Sequence, residues 1–219
     1  WREKIFCPNL ILKTLQRSSL CQIRTLSQSV KQCVPAPVKT VDSASHLIRI
    51  FNAEFGLGHS VLLVGGASEP LYLPSGKHRQ NAEIHFREDF PSSALHELAH
   101  WCLAGKKRRE QEDYGYWYDA IRDASQQQNF EAVEVRPQSI EWILSVAAGL
   151  EFRVSSDNFL IEKHDVKSFR SAVRSAVHAV LKDGLPTIVQ RLAVALALEM
   201  PAGNLEFANP AHYQRLPAK

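Results

Sequence analysis

Apolar residues recur at helical spacing just after the first forty residues. Within Ser43–Phe55, the side chains of Leu47, Ile48, Phe51 and Phe55 fall on one face of a helix with 3.6 residues per turn. The pattern predicts an amphipathic helix that ends at the glycines following it.

Three short segments after this helix have the composition of strands. Val61–Val64 is apolar and β-branched at both ends, and Gly65 and Gly66 follow it directly. Leu71–Leu73 and Ala82–Phe86 are two further short candidates. Together they predict a small sheet.

A second helix is predicted to begin near Pro91, because proline is favoured in the first helical turn. Asp89 or Ser92 is available as its cap. We expect this helix to end near Gly105, where the cations of Lys106–Arg109 complement its dipole.

Three more helices are predicted downstream, over Pro137–Ala148, Asp165–Asp183 and Leu185–Met200. Gly184 and Pro186 separate the last two. The predicted fold class is therefore α+β: a mostly helical single domain with a small sheet ahead of the second helix.

The charge of the chain is divided unevenly. Residues 1–40 hold seven basic residues and one acidic residue, a net charge of +6, and the other 19 basic and 22 acidic residues give −3. We interpret 1–40 as a basic, disordered leader, with a composition that also resembles an organelle transit peptide. Residues 41–200 form the predicted domain and 201–219 a tail. Because the excess charge lies in the leader, we expect no nucleic-acid binding by the domain.

Composition further narrows the class of protein. The apolar runs Trp142–Leu150 and Leu192–Met200 are far shorter than the roughly 20 residues that span a bilayer. Cys102 is the single cysteine of the predicted domain, which favours a reducing compartment and a buried, unreactive thiol. We expect a cytoplasmic monomer that does not bind membranes.

The predicted second helix carries the motif His96-Glu97-Leu-Ala-His100. Residues four apart on a helix share one face, with β-carbons about 5–6 Å apart, so both imidazoles can bind one metal ion. Glu97 lies beside the first ligand, where His-Glu-x-x-His enzymes place a general base. The motif predicts a metal-dependent enzyme with His96 and His100 as ligands.

Two histidines do not complete a catalytic metal site. The extended metzincin pattern requires glycine and histidine where this chain has Leu103 and Lys106, so that subclass of peptidase is excluded. Among the remaining histidines, His85 is the one that we expect to line the site, since it lies on a strand preceding the motif helix.

The third ligand is predicted to be a carboxylate from Glu131, Glu134 or Glu141. We choose Glu134 because it lies between Val133 and Val135. An unpaired carboxylate is costly in an apolar setting, and a metal removes that cost. An exposed glutamate paired with a nearby cation is the alternative.

An aromatic segment follows the motif helix. Asp113, Tyr114, Tyr116 and Trp117 are candidates for a wall of the active-site cleft that binds substrate, although core packing explains the aromatics equally well.

A basic run precedes the aromatic segment. Lys106, Lys107, Arg108 and Arg109 either dock an acidic partner or form a solvated helix end.

Several of these segments together resemble the bacterial elongation factor P hydroxylase family. The residues that carry the resemblance are His96–Arg109, Asp113–Tyr118, Glu131–Gln138, Val146–Gly149, Glu69–Pro74 and Val154–Asn158. The similarity covers about residues 43 to 195 and is far more specific than the five-residue motif.

The resemblance implies a non-haem iron monooxygenase. Enzymes of this family hydroxylate the lysine of elongation factor P that already carries a β-lysyl group, using dioxygen. It also implies a two-His-one-carboxylate Fe(II) site, carried here by His96, His100 and Glu134. The alternative is a zinc metallopeptidase with Glu97 as general base, since histidine and carboxylate ligands suit both metals.

Overall fold

A computed structural model describes residues 43–112, 124–155 and 167–215 of the chain. The helices and strands in these ranges are α1 (Ser43–His59), β1 (Val61–Ala67), β2 (Leu71–Leu73), β3 (Ala82–Arg87), α2 (Pro91–Leu103), α3 (Ala124–Ala148), α4 (Lys167–Asp183) and α5 (Thr187–Glu199). Two short 3-10 helices are formed by Arg108–Glu110 and Pro210–Tyr213. The predicted α+β class is confirmed.

The three strands form one sheet in the order β1-β3-β2. The central strand β3 pairs parallel with β1 and antiparallel with β2. Ala82, Ile84 and Phe86 alternate on the buried face of β3, so the sheet is half-buried. α1 packs on β1, and α2 packs on β3 directly after the turn that connects them.

Two predicted boundaries were wrong at glycines. α1 continues through Gly56 and Gly58 to His59, and β1 continues through Gly65 and Gly66 to Ala67. The pairing of β1 with β3 shifts register between Val64 and Ala67, where Gly66 has a φ of 77°. A glycine there supplies the left-handed conformation that an irregular strand requires.

The start of α2 was predicted correctly, but its predicted cap was wrong. The N-cap is Phe90, no side chain caps the helix, and Pro91 occupies the first turn. Proline lacks an N–H group, so one of the amides that have no partner within the first helical turn is absent.

Helix α3 begins thirteen residues before the predicted start at Pro137. Proline removes the hydrogen bond to the carbonyl four residues earlier, here that of Val133. The helix nevertheless continues through the proline, next to a turn in which Val133 is 41% exposed. This longer helix packs against α2, α4 and α5 and carries all three candidate carboxylates.

Part of the predicted C-terminal tail contributes to the core. Phe207 and Tyr213 are buried, and the Tyr213 ring meets the edge of Trp142 at a centroid distance of 5.3 Å. The Asn204 amide donates to the carbonyl of Ala147 at 2.9 Å. Residues beyond 200 therefore pack against the end of α3.

Candidate metal centre

His96 and His100 lie on one face of α2, as their spacing predicts. Their rings are 4.6 Å apart between centroids, and their Nε2 atoms are 3.0 Å apart. The apolar neighbours Leu95, Leu98 and Ala99 are fully buried and hold this part of the helix in the core. Both imidazoles remain partly exposed.

Glu134 of α3 completes a cluster with the two histidines. Its Oε1 lies 3.4 Å from Nε2 of His100, and its Oε2 lies 3.7 Å from Nε2 of His96. One ligand atom from each residue can be chosen so that all lie within 4.8 Å of one another. The packing of α2 on α3 brings the three side chains together.

The donor set fits a divalent metal ion. Atoms that are each about 2.0–2.2 Å from one ion lie about 3–3.6 Å from each other. The separations of 3.0 and 3.4 Å fall in this range, and the third, between Oε2 of Glu134 and Nε2 of His96, is slightly longer at 3.7 Å. Within the described residues, the buried Oε2 of Glu134 has no hydrogen-bond partner. Such an orphaned carboxylate oxygen is costly unless a cation compensates it.

Two further side chains contact the cluster from α3. Oε2 of Glu141 lies 2.8 Å from Nδ1 of His96. Gln138 forms a hydrogen bond with Glu134, and it also binds both backbone groups of Ser155. In those contacts its Nε2 donates to the Ser155 carbonyl at 2.7 Å, and its Oε1 accepts from the Ser155 amide at 3.2 Å.

These residues belong to a buried polar stripe along α3. Its members, separated alternately by four and three residues, are Gln127, Glu131, Glu134, Gln138, Glu141 and Ser145. The spacing keeps all six on one face of a helix. Sequence reasoning missed Gln138 and the stripe as a whole, although a polar pattern at helical spacing is the signal that reveals them.

The histidines and the carboxylates of the cluster stabilise each other's charged forms. Burial alone lowers the pKa of His96, but the Glu141 hydrogen bond and the surrounding carboxylates raise it to about 10. Burial alone raises the pKa of Glu134, but hydrogen bonding and charge from His100, together with His96, hold this pKa below its usual value. The pKa of Glu134 thus favours an ionised carboxylate.

The other two carboxylate candidates have different surroundings. Glu131 accepts a hydrogen bond from Gln127 Nε2 at 2.9 Å, and Glu141 contacts the Nδ1 side of His96. Neither belongs to the group of possible ligands found among the described residues. The choice of Glu134 agrees with the geometry, but Val133 is exposed and does not provide the apolar setting on which that choice rested.

Glu97 lies next to the cluster and is affected by it. Burial raises its pKa, whereas the charges of His96 and His100 lower it less strongly. Cys102 is buried, and burial raises the pKa of its thiol to about 12, which agrees with the predicted unreactive role.

The residues of the basic run, Lys106 to Arg109, differ in their surroundings. Lys106, Lys107 and Arg108 are exposed. The Arg109 guanidinium instead lies 4.3 Å from the Trp101 ring centroid and donates to the Trp101 carbonyl at 2.8 Å. Arg109 therefore holds the end of α2 rather than extending toward a partner.

The predicted substrate residues Asp113, Tyr114, Tyr116 and Trp117 lie outside the described residues. His85 is described, and its Nε2 lies 2.8 Å from a carboxylate oxygen of Glu83. His85 is not part of the metal-ligand cluster found in the described ranges.

Comparison with known proteins identifies the family of this chain. A family model described as elongation factor P hydroxylase matches residues 50–208. The chain belongs to the elongation factor P hydroxylase family. A Haemophilus influenzae protein named elongation factor P lysine hydroxylase is 44% identical over 151 residues, which cover 68% of this chain and 85% of that protein.

The family match includes every residue of the cluster and of the polar stripe. None of the helices in the described ranges is long and apolar enough to cross a bilayer.

Proposed function

We propose that this protein is a metal-dependent monooxygenase that hydroxylates the β-lysylated lysine of elongation factor P. The observation that carries the proposal is the convergence of His96, His100 and Glu134 in a chain of this family. The name of the Haemophilus influenzae relative supports the coarser part of the proposal, a lysine hydroxylase that acts on elongation factor P.

Fe(II) is the metal that suits this reaction best. Two histidines and one carboxylate on one side of an ion leave coordination positions open, and Fe(II) in such a site binds and activates dioxygen. His96 and His100 would hold the ion through their Nε2 atoms, and Glu134 through a carboxylate oxygen. Their partial exposure leaves the imidazoles accessible to substrate.

Glu97 would serve in proton handling beside the metal. Burial raises its pKa, so the carboxyl group releases and accepts a proton more readily near neutral pH than an exposed glutamate does.

Docking of the protein substrate would use the exposed part of the basic run. Lys106, Lys107 and Arg108 directly follow the metal helix, where they attract an acidic partner. Asp113 and the aromatic side chain of Trp117 would then accept the alkylammonium group, with a cation–π contact worth about 0.5–2 kcal/mol.

The docking surface predicts a kinetic effect. Replacing Lys106, Lys107 and Arg108 by glutamate should raise KM several-fold at low salt and leave metal content unchanged. High salt should reduce the difference from the wild type, since exposed charges are screened over about 8–10 Å. An unchanged KM at low salt would show that these residues do not dock the substrate.

Isotope labelling tests the reaction itself. Protein purified without oxygen and loaded with Fe(II) is mixed with β-lysylated elongation factor P, a reductant and labelled dioxygen. We expect one labelled oxygen atom in the modified peptide by mass spectrometry, while the second oxygen atom leaves as water with two electrons from the reductant. His96→Ala protein and unmodified elongation factor P serve as controls.

Two results of this experiment would contradict the proposed monooxygenase. Hydroxylated peptide without label, or no hydroxylation by fully iron-loaded protein, would refute the monooxygenase. Zinc-dependent peptide cleavage that disappears in Glu97→Gln would instead identify the metallopeptidase.

A further inference from the structure

A buried carboxylate that the ligand set does not use lies directly behind His96. Glu141 is seven residues after Glu134 on the polar stripe of α3, and its side chain is 9% exposed. Its Oε2 lies 2.8 Å from Nδ1 of His96. The backbone carbonyl of Glu141 also accepts a hydrogen bond from Ser145 Oγ at 2.8 Å, within the same helix.

The geometry separates the role of Glu141 from that of a ligand. Nδ1 and Nε2 lie on different edges of the imidazole, and Nε2 of His96 is the atom that faces His100 and Glu134. An ionised carboxylate can only accept a hydrogen bond, so the contact with Glu141 requires a proton on Nδ1. The lone pair of neutral His96 then lies on Nε2, toward the cluster.

We propose that Glu141 is a positioning residue that fixes the tautomer and ring orientation of His96 for metal binding. The inference rests on the proposed metal site, but it does not depend on the reaction that the metal performs. Carboxylates behind histidine ligands raise the basicity of the imidazole, and their removal costs about 10–100-fold in metal affinity. Glu134 binds the metal in this scheme, while Glu141 orients its neighbouring ligand.

Zinc affinity measures this role without any turnover. Zinc dissociation constants are determined by chelator competition for wild type, Glu141→Gln, Glu141→Ala and Ser145→Ala. We expect Glu141→Ala to bind zinc about 10–100-fold more weakly. The zinc affinity of Glu141→Gln should lie between those of wild type and Glu141→Ala, because its amide oxygen still accepts a hydrogen bond from Nδ1 but carries no charge. Ser145→Ala removes a buried polar group of the same stripe and should keep wild-type affinity.

A spectroscopic measurement separates positioning from a general loss of structure. In zinc-loaded wild type, nitrogen NMR of His96 should show a protonated Nδ1 and a metal-bound Nε2. The Glu141→Gln protein should keep this tautomer and unfold near the wild-type temperature when metal-free.

The proposal is overturned by several outcomes. These are wild-type zinc affinity in Glu141→Ala, metal bound through Nδ1 of His96, or equal losses of affinity in Glu141→Ala and Ser145→Ala. Glu141-dependent zinc binding in a protein that does not hydroxylate elongation factor P would support this inference while refuting the proposed function.

Discussion

At the scale of single residues, the site depends on two imidazoles held by a helix and one carboxylate held by another. His96 and His100 converge because four residues make slightly more than one helical turn. Glu134 comes from a different helix, and its negative charge is stabilised by both histidines and by Gln138. Loss of one member should therefore affect metal binding far more than folding.

Substitution of either histidine tests the ligand assignment. His96→Ala and His100→Ala should each reduce metal affinity by more than about 100-fold. Loss of a residue that only hydrogen-bonds to a ligand already costs about 10–100-fold in affinity, and loss of the ligand itself should cost more. The fold should persist, since alanine is well tolerated in a helix. Elemental analysis after dialysis measures the effect. His85→Ala, a half-buried histidine outside the cluster, is the matched control, and equal metal occupancy in all three variants would disprove the assignment.

Neutral replacement of the stripe carboxylates tests the third ligand. Glu134→Gln should weaken metal binding by about 100-fold or more, because an amide supplies no negative charge to the ion. Glu131→Gln changes a buried carboxylate one turn away and should retain affinity. Chelator competition compares the two variants. If both bind metal equally well, the third ligand is not Glu134.

At the scale of elements, α3 determines the shape of the site. The helix continues through Pro137, so its polar stripe presents Glu134 and Glu141 to α2 at a constant spacing. Gln138 lies between them and fixes Ser155 through a pair of hydrogen bonds. One side chain thus connects a proposed ligand to the segment that follows α3.

Gln138→Ala should destabilise the protein. Two hydrogen bonds between Gln138 and the partly buried backbone groups of Ser155 are lost, and a hydrogen bond contributes about 0.5–1.5 kcal/mol. Metal affinity should also fall, because Glu134 loses a hydrogen bond. Chemical denaturation of the metal-free protein measures the change in free energy of unfolding. Gln190→Ala, an exposed glutamine of α5, should change it by less than about 0.5 kcal/mol.

At the scale of the whole molecule, the segment after α5 returns to the end of α3. Gly149 has a φ of 68°, and a Cβ added there would lie 1.8 Å from the carbonyl oxygen of Ala202. The close approach positions Asn204 for its hydrogen bond to Ala147. Packing of this C-terminal segment thus depends on a glycine at residue 149.

Gly149→Ala should therefore cost more stability than backbone strain alone. We expect a loss of more than about 2 kcal/mol, because the clash with Ala202 adds to a strain of about 1–2 kcal/mol for a left-handed residue. Gly184→Ala is the matched control, since Gly184 has a φ of 93° and, among the described residues, no atom beyond its chain neighbours lies within 4 Å of the position that its Cβ would take. Thermal unfolding compares the two, and equal losses would show that the approach of Ala202 does not matter.

Much of the fold follows from local patterns. Helices α4 and α5 were predicted from periodicity, because helical repeats reflect burial directly. The short strands were predicted from their composition, and the start of α2 from Pro91. The extent of α3 was not predicted, because proline normally ends a helix, whereas α3 continues through Pro137. The role of residues beyond 200 was also missed, because Phe207 and Tyr213 are isolated aromatics without a periodic pattern.

The sequence by itself determined two features of the candidate site: the pair His96 and His100, and the similarity to one enzyme family. Both depend on residues close together in the chain or on the order of several motifs. The sequence also favoured Glu134 among three carboxylates, but only the tertiary structure brings it near both histidines. Glu134 lies 34 residues after His100, and the register of α3 against α2 is a property of packing. The same register puts Glu141 at Nδ1 of His96 rather than at Nε2, the atom that faces His100 and Glu134. No local spacing in the sequence encodes this difference.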